Sequence, residues 1–323
     1  MNQNNNTVGG IHQRRGVASP LLGTFSGKGI RSDQGIMPIA KSSFQVLDPS
    51  TVFNGWSLPA QGDPYSDCGK TLVFGCLDIE KHKQARIDGV EVVGRVFLDL
   101  RKRSCLRSEC PVCYEKWAGK EAHRIGYRVK QWKGSGKPIH LVISIPRRLW
   151  HISILKLRPK IYQIAKKVGF FGGCAIPHPF REKCLICGSK KDSLTKRCVK
   201  CGCSQFIWYY SPHFHLIGFG WILGDRVREV FKKGAWIVKN VGIRVSVEGT
   251  ALYQLSHCGT HKHHHSVTWF GSMAYNKLRV DPEEIVKKVC PLCGSELFKL
   301  HWVGEGEMPF EEEGEYFDKR ENW

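Results

Sequence analysis

Residues Trp208–Gly220 have the sequence WYYSPHFHLIGFG, and this apolar stretch decides how the rest of the chain is interpreted. From Phe214 onward every residue except glycine and histidine is apolar, and a Ser-Pro pair precedes the run, so a short buried strand is predicted. On a strand, residues two apart point to the same face. His213 and His215 are therefore predicted to project side by side, either as two ligands of a divalent metal or as two hydrogen-bonded core histidines.

Two cysteine pairs of the Cys-x2-Cys type come shortly before this strand, and a glycine follows each pair. Ten residues separate Cys184 and Cys187 from Cys198 and Cys201. Such a pattern is typical of a zinc ribbon, because the glycine permits a tight turn and four thiolates complete a tetrahedron. We predict structural zinc here, in a ribbon inserted over residues 184–203 of a larger domain.

Further cysteines predict more zinc. Three thiolates near the first third of the chain are one short of a closed tetrahedral site. They belong to Cys105, Cys110 and Cys113. The sequence leaves the fourth ligand open among several candidates. These are Cys68, Cys76, His82 and the pair Cys290 and Cys293. Between one and three structural zinc ions are therefore expected.

The composition restricts the class of protein. The chain has 323 residues and a formal net charge of +20, which favours a polyanionic partner, most simply nucleic acid. Fourteen cysteines in a sequence that shows no secretory-type leader argue for metal ligation over disulfides. No apolar run is long enough to span a bilayer. We expect a soluble cytoplasmic protein, without a membrane partner, that associates with nucleoid or viral DNA.

A periodic segment at Tyr114–Trp132 is predicted to form a helix. Basic residues four apart along it would make a ridge on one face, which is either a solvated surface or a contact with the DNA backbone. The ridge consists of Lys116, Lys120, Arg124 and Arg128.

Two more strands are predicted around this core. Pro138–Pro146 is a compact apolar run closed by proline, and residues 172–180 form a shorter strand. His178 on the shorter strand is assigned a structural role in preference to a place in a site.

A short helix is predicted downstream over residues 249–259, with Gly259 as its C-terminal stop. Tyr253 and His257 are four apart and so lie one above the other on one helical face. A metal held by two histidines has positions for a phosphate oxygen and one more ligand, and a phenol is able to attack phosphorus. His257 is predicted as the third ligand or as a hydrogen-bond partner of the phenol.

The order of these motifs resembles that of the HUH endonucleases, which include rolling-circle replication initiators, relaxases and single-strand transposases. Ile139–Pro146 resembles their first motif strand, His213–His215 their His-hydrophobic-His metal motif, and Tyr253 their nucleophile. The sequences that flank these motifs are similar to those of archaeal plasmid and virus initiators. The resemblance covers about residues 65–280. Many initiators have Tyr-x2-Lys in the third motif, whereas the Tyr-x3-His of this chain is similar to the single-strand transposases.

The resemblance implies an α+β fold, with a ferredoxin-like antiparallel sheet, helices on one face, the zinc ribbon and further zinc knuckles. It implies a metal-dependent nickase with joining activity that cuts single-stranded DNA at a replication origin of a plasmid or virus. Tyr253 would carry a covalent 5′-phosphate, and Mg²⁺ or Mn²⁺ would be held by His213, His215 and His257. The host replication machinery would be a partner. The alternatives are a single-strand transposase and a non-catalytic zinc-ribbon DNA-binding regulator.

The expected organisation has four parts along the chain. Residues 1–45 form a flexible basic and polar arm. Residues 46–137 hold the first cysteine group and the basic helix, and residues 138–280 form the endonuclease domain. Residues 281–323 hold the last cysteine pair and an acidic tail.

Overall fold

A computed structural model of the chain describes residues 46–47, 52–84, 86–87, 90–91, 95–191, 195–283, 288–301 and 316–318. All of these residues belong to the unit Phe44–Trp323. The predicted arm and most of the predicted acidic tail lie outside the described residues.

The described chain contains helices α1–α4 and strands β1–β14. The helices are α1 Tyr114–Lys130, α2 Ile154–Lys167, α3 Gly224–Gly234 and α4 Val247–Leu255, with 3₁₀ turns at Ile79–Gln84 and Arg147–Leu149. The strands of the main sheet are β1 Val46–Leu47, β7 Ile139–Ser144, β8 Phe170–Cys184, β9 Phe206–Gly220, β10 Ile237–Ile243 and β12 Thr268–Gly271. The other strands are β2 Trp56–Ser57, β3 Thr71–Cys76, β4 Arg86–Ile87, β5 Val90–Glu91, β6 Arg95–Lys102, β11 Thr260–His261, β13 Leu297–Leu300 and β14 Tyr316–Asp318.

The main sheet is antiparallel, with strand order β10-β7-β9-β8-β12 and β1 paired with β9. Along the chain, β7, α2, β8, β9, α3 and β10 follow one another as β-α-β-β-α-β. This is the connectivity of ferredoxin-like units. The predicted mixture of helices with an antiparallel sheet is therefore confirmed, and the run around His213 forms most of the central strand β9.

Helices cover both faces of the main sheet. Phe214 of β9 belongs to one apolar cluster together with side chains of α2 and α3. Ile217 of the same strand belongs to a second cluster with side chains of α1 and α4. The expectation that helices would lie on one face is therefore wrong, because β9 carries large apolar residues on both faces and each face needs a cover.

A second sheet joins segments from the two ends of the described chain. Its strand order is β13-β3-β6-β14, and all of its pairs are antiparallel. Residues 46–137 and 281–323 were predicted as two separate parts of the chain. In the structure both segments contribute strands to this one sheet.

Candidate functional site

Three histidines meet on the face of the main sheet that α1 and α4 cover. Strand β9 supplies His213 and His215, and β8 supplies His178, which lies directly opposite His213 in the ladder. One ring nitrogen from each residue lies within 4.8 Å of the others. His178 is 1% exposed and His213 is 6% exposed, whereas His215 is half-buried. The strand periodicity correctly puts His213 and His215 together, and the structure adds His178.

The three imidazoles are neutral near pH 7. Burial lowers the pKa of His178, His213 and His215 well below the ordinary value of 6.5, and neighbouring imidazoles and the Arg181 guanidinium lower it further. A neutral imidazole keeps the lone pair that a metal ion binds. The protonation state of the group therefore suits metal ligation.

Hydrogen bonds decide which ring nitrogens face the centre of the group. The Nδ1 of His213 lies 2.8 Å from the carbonyl oxygen of Ser211, so Nδ1 carries the hydrogen and Nε2 the lone pair. The Nδ1 of His215 lies 2.7 Å from the Nε2 of His140, which leaves the Nε2 of His215 for another partner. The Nε2 of His178 is buried and has no hydrogen-bond partner among the described residues. One ring nitrogen fixed by a neighbour and the other left for an ion is the arrangement of metal-binding histidines.

Helix α4 and the turn that follows it bring Tyr253 and His257 to the edge of this group. Because α4 ends at Leu255, the prediction of a helix over residues 249–259 that carries both side chains on one face is wrong. The ring of His257 meets the ring of His178 edge-on, with 4.8 Å between centroids. The ring of Tyr253 lies 4.9 Å from the ring of His257. Ala251 and Leu255 anchor the helix because both are fully buried in the second apolar cluster. Tyr253 is 49% exposed and is thus accessible to a large substrate.

His257 touches the histidine group from outside. The three ring nitrogens that lie together belong to His178, His213 and His215, and His257 reaches them through the ring of His178. The Nδ1 of His257 lies 3.2 Å from the hydroxyl of Ser256. Burial lowers the pKa of His257 to about 4, so this ring is also neutral at pH 7. The sequence left His257 open as a third ligand or as a partner of the phenol and favoured a structural role for His178, because the register between β8 and β9 is not a local property.

Three groups of four cysteine or histidine ligands occur in the described part of the chain. They are Cys68, Cys105, Cys110 and Cys113; Cys76, His82, Cys290 and Cys293; and Cys184, Cys187, Cys198 and Cys201. The ligand atoms of each group lie within 4.8 Å of one another. Cys68 is therefore the fourth member of the first group, while Cys76 and His82 join the C-terminal pair. The prediction of cysteine clusters that could hold zinc is confirmed.

Sulfur–sulfur distances fit tetrahedral zinc. The sulfurs of Cys184 and Cys201 are 3.4 Å apart, and those of Cys187 and Cys198 are 3.5 Å apart. Thiolates around a zinc ion at a bond length of about 2.3 Å are separated by about 3.8 Å, whereas disulfide sulfurs are about 2.05 Å apart. All of the cysteines are free. The ligand type and the spacing of these groups thus match structural zinc.

Each cysteine group lies where an element begins or ends. Cys184 is the last residue of β8, so its group sits at the tip of the β8–β9 hairpin. Cys113 is the N-cap of α1, and Cys76 is the last residue of β3. Metal bound in these groups would hold segments that are distant in sequence, as structural zinc does.

Only part of the predicted basic ridge of α1 is exposed to solvent. Lys116, Lys120 and Arg124 are exposed, whereas Arg128 is buried. The Arg128 guanidinium donates hydrogen bonds to three backbone carbonyls. These belong to Met273, Ala274 and Leu278. Residues four apart advance by about 40° around a helix, so after three steps the ridge has turned by about 120° into the protein. The expectation that Arg128 contacts DNA is therefore wrong.

Comparisons with protein-family models, with curated proteins and with solved structures give no match to this chain. Within the described residues, no helix combines the length and apolar character that crossing a membrane requires.

We expect Cys198→Ser to lower the zinc content by about one ion per chain, because three ligands no longer close the tetrahedron. The thermal unfolding temperature should fall as well, since metal binding at such a site contributes to folding. Zinc is measured by elemental analysis of the purified protein. Cys203→Ser is the matched control, because Cys203 lies beside the ribbon but outside its ligand group. Equal zinc contents in the two variants would contradict the assignment.

We expect Arg128→Ala to lower the free energy of unfolding by on the order of 2 kcal/mol, because three buried carbonyls lose their donor. Lys120→Ala should change it by less than about 0.5 kcal/mol, since this side chain is exposed. Urea denaturation at fixed zinc concentration measures both. The reverse ranking would show that Arg128 is not a structural residue.

Proposed function

We propose that this protein is a metal-dependent endonuclease of the HUH type that nicks and joins single-stranded DNA at a replication origin. In this proposal it initiates rolling-circle replication of a plasmid or viral genome. The main support is the convergence of three neutral histidines on one sheet face beside an exposed tyrosine. The β-α-β-β-α-β connectivity, the motif order and the net charge of +20 agree with it.

The donor set favours a transition metal over magnesium. His178, His213 and His215 offer three nitrogens, and their group contains no carboxylate among the described residues. Imidazole suits transition metals, whereas Mg²⁺ prefers oxygen ligands and keeps several waters. Of the two ions that the resemblance implies, we therefore expect Mn²⁺ to bind more tightly than Mg²⁺. When bound, the ion supplies Lewis-acid polarisation of the phosphate and orients the scissile bond.

Tyr253 is the proposed nucleophile. Its phenol oxygen forms a bond to phosphorus and gives up its proton, while the bond from phosphorus to the 3′ oxygen breaks. The 3′ oxygen takes a proton and leaves as a hydroxyl that is able to prime synthesis. The 5′ phosphate stays on the tyrosine, and the reverse reaction rejoins strands. We assign to the neutral ring of His257 the acceptance of a hydrogen bond from the attacking phenol, because the two rings are in contact.

The exposed basic face of α1 is the proposed track for the DNA backbone. Lys116, Lys120 and Arg124 lie on this face, and α1 packs against α4, which carries Tyr253. Neutralisation of phosphates releases counterions, so binding should weaken steeply as salt rises. In this proposal the zinc groups are structural, and replication proteins of the host are the partners that extend the new 3′ end.

A DNA-binding regulator with structural zinc is the rival from another class. In that case the three histidines would only pack in the core. The buried Nε2 of His178 argues against it, because a ring nitrogen without a partner is costly unless an ion or ligand binds it. A single-strand transposase would share the site and its chemistry.

Tyr253→Phe should abolish both the nick and the covalent adduct while DNA binding remains, because only the nucleophilic oxygen is removed. The assay uses single-stranded oligonucleotides that cover the protein's own replicon, with Mn²⁺ and with EDTA, followed by denaturing electrophoresis. Tyr275→Phe is the matched control, because Tyr275 is exposed like Tyr253 but lies outside the site. If the adduct survives in Tyr253→Phe and disappears in Tyr275→Phe, the nucleophile is Tyr275. Absence of cutting with every metal and oligonucleotide would favour the regulator.

His178→Ala should weaken Mn²⁺ binding as strongly as His213→Ala, by about tenfold or more, because each removes one of three ligands. His257→Ala should have a smaller effect on the metal and a larger one on cleavage. Calorimetric titration with Mn²⁺ measures the affinities. If His257→Ala abolishes metal binding and His178→Ala leaves it intact, the third ligand is His257.

A further inference from the structure

A charged group without an acidic partner lies beside the three histidines. The Nη2 of Arg181 donates a hydrogen bond to the hydroxyl of Ser144 at 2.7 Å. Its Nε lies 3.3 Å from the Nδ1 of His213. Ser144 stands directly opposite His213 in the β7–β9 ladder, so the guanidinium is on the same sheet face as the imidazoles. No carboxylate of the described residues forms an ion pair with Arg181.

The hydrogen bonds of Arg181 are incomplete. The Nδ1 of His213 has two neighbours, the Ser211 carbonyl at 2.8 Å and the Arg181 Nε at 3.3 Å. A ring nitrogen either donates or accepts a hydrogen bond, so it cannot satisfy both. Because the shorter contact is to a carbonyl oxygen, Nδ1 must donate, and it cannot also accept from Arg181. The Nε group of the guanidinium is therefore left without an acceptor at this contact.

The charge of Arg181 requires compensation. An arginine stays protonated in proteins, although burial lowers the pKa of this one. A divalent ion at the histidines would add two further positive charges, and that ligand group contains no negative one. Partly buried charges without a counterion are unfavourable, so the site as a whole calls for an anion. The planar guanidinium fork matches the oxygens of a phosphate group.

We propose that Arg181 binds the non-bridging oxygens of the scissile phosphate and that Ser144 holds the guanidinium in place for this contact. This inference rests on the proposed function and names the residue that recognises its substrate phosphate. Arg181 is then a catalytic residue in contact with the reacting group, and Ser144 is a positioning residue.

A purely structural role for Arg181 makes a different prediction. If the guanidinium only supported the ring of His213, its removal would weaken metal binding, and phosphate binding would fall in proportion. If it binds phosphate, its removal takes a repelling charge away from the ion. Metal binding should then stay the same or tighten, while phosphate binding falls. The two roles thus move the metal affinity in different directions.

The experiment compares the wild-type chain with Arg181→Gln, Arg181→Lys and Ser144→Ala. Mn²⁺ affinity is measured first by calorimetry, and inorganic phosphate is then titrated into the Mn²⁺-loaded protein. We expect Arg181→Gln to bind Mn²⁺ at least as tightly as the wild type and phosphate at least about tenfold more weakly. Arg181→Lys should recover part of the phosphate affinity, because it restores the charge without the fork. Ser144→Ala should lower phosphate affinity by a smaller factor.

Lys191→Gln is the matched control, because this nearby cation already has a carboxylate partner, Glu182, at 2.7 Å. Its phosphate affinity should stay within about twofold of the wild type. If Arg181→Gln binds Mn²⁺ more weakly and its phosphate affinity falls by the same factor, the proposal is overturned. If Arg181→Gln does not fold, unchanged phosphate affinity in both Arg181→Lys and Ser144→Ala overturns it instead. This test needs no cleavage. If the wild type cuts no DNA but Arg181→Gln still loses phosphate affinity, the result would support the anion site and refute the endonuclease.

Discussion

The pairing of β8 with β9 is the constraint on which the rest of the structure depends. It puts His178 opposite His213, and a slip by one residue would turn every side chain of one strand to the other face. Gly173 and Gly218 fix this register, because they face each other and a Cβ on Gly218 would come within 2.2 Å of a backbone oxygen. The histidine group is therefore a product of backbone packing at a distance from it.

The ribbon at the hairpin tip reinforces the same register. Cys184 is paired with Phe206, so a metal bound by the two knuckles would also fix where β8 ends and where β9 begins. The structural zinc and the histidine group are thus linked through one hairpin. A cation beside that group, Arg181, comes from the same strand β8. The site is assembled mainly by two neighbouring strands, and α4 then adds the tyrosine.

Local periodicity predicted much of the site, and non-local pairing explains what it missed. The period of a strand gave the common face of His213 and His215, and the paired knuckles gave the ribbon. His178 needed the strand register, and the ribbon alone could not supply it, because a bulge between His178 and Phe180 shifts the pairing by one residue from that at Cys184 and Phe206. The union of Cys76 and His82 with a pair more than two hundred residues later had no local signal. Helices on both faces and the burial of Arg128 followed from three-dimensional packing.

The ligand group of Cys76, His82, Cys290 and Cys293 has a consequence for biosynthesis. Its first two members leave the ribosome long before the last two, so this metal site has only half of its ligands until synthesis is nearly complete. Domains fold as they emerge, N-terminal parts first. The main sheet, whose strands all precede Cys290 in the chain, is therefore able to form before the second sheet is closed. Strands β3 and β6 are made early, but their sheet is complete only after β13 and β14 have been made.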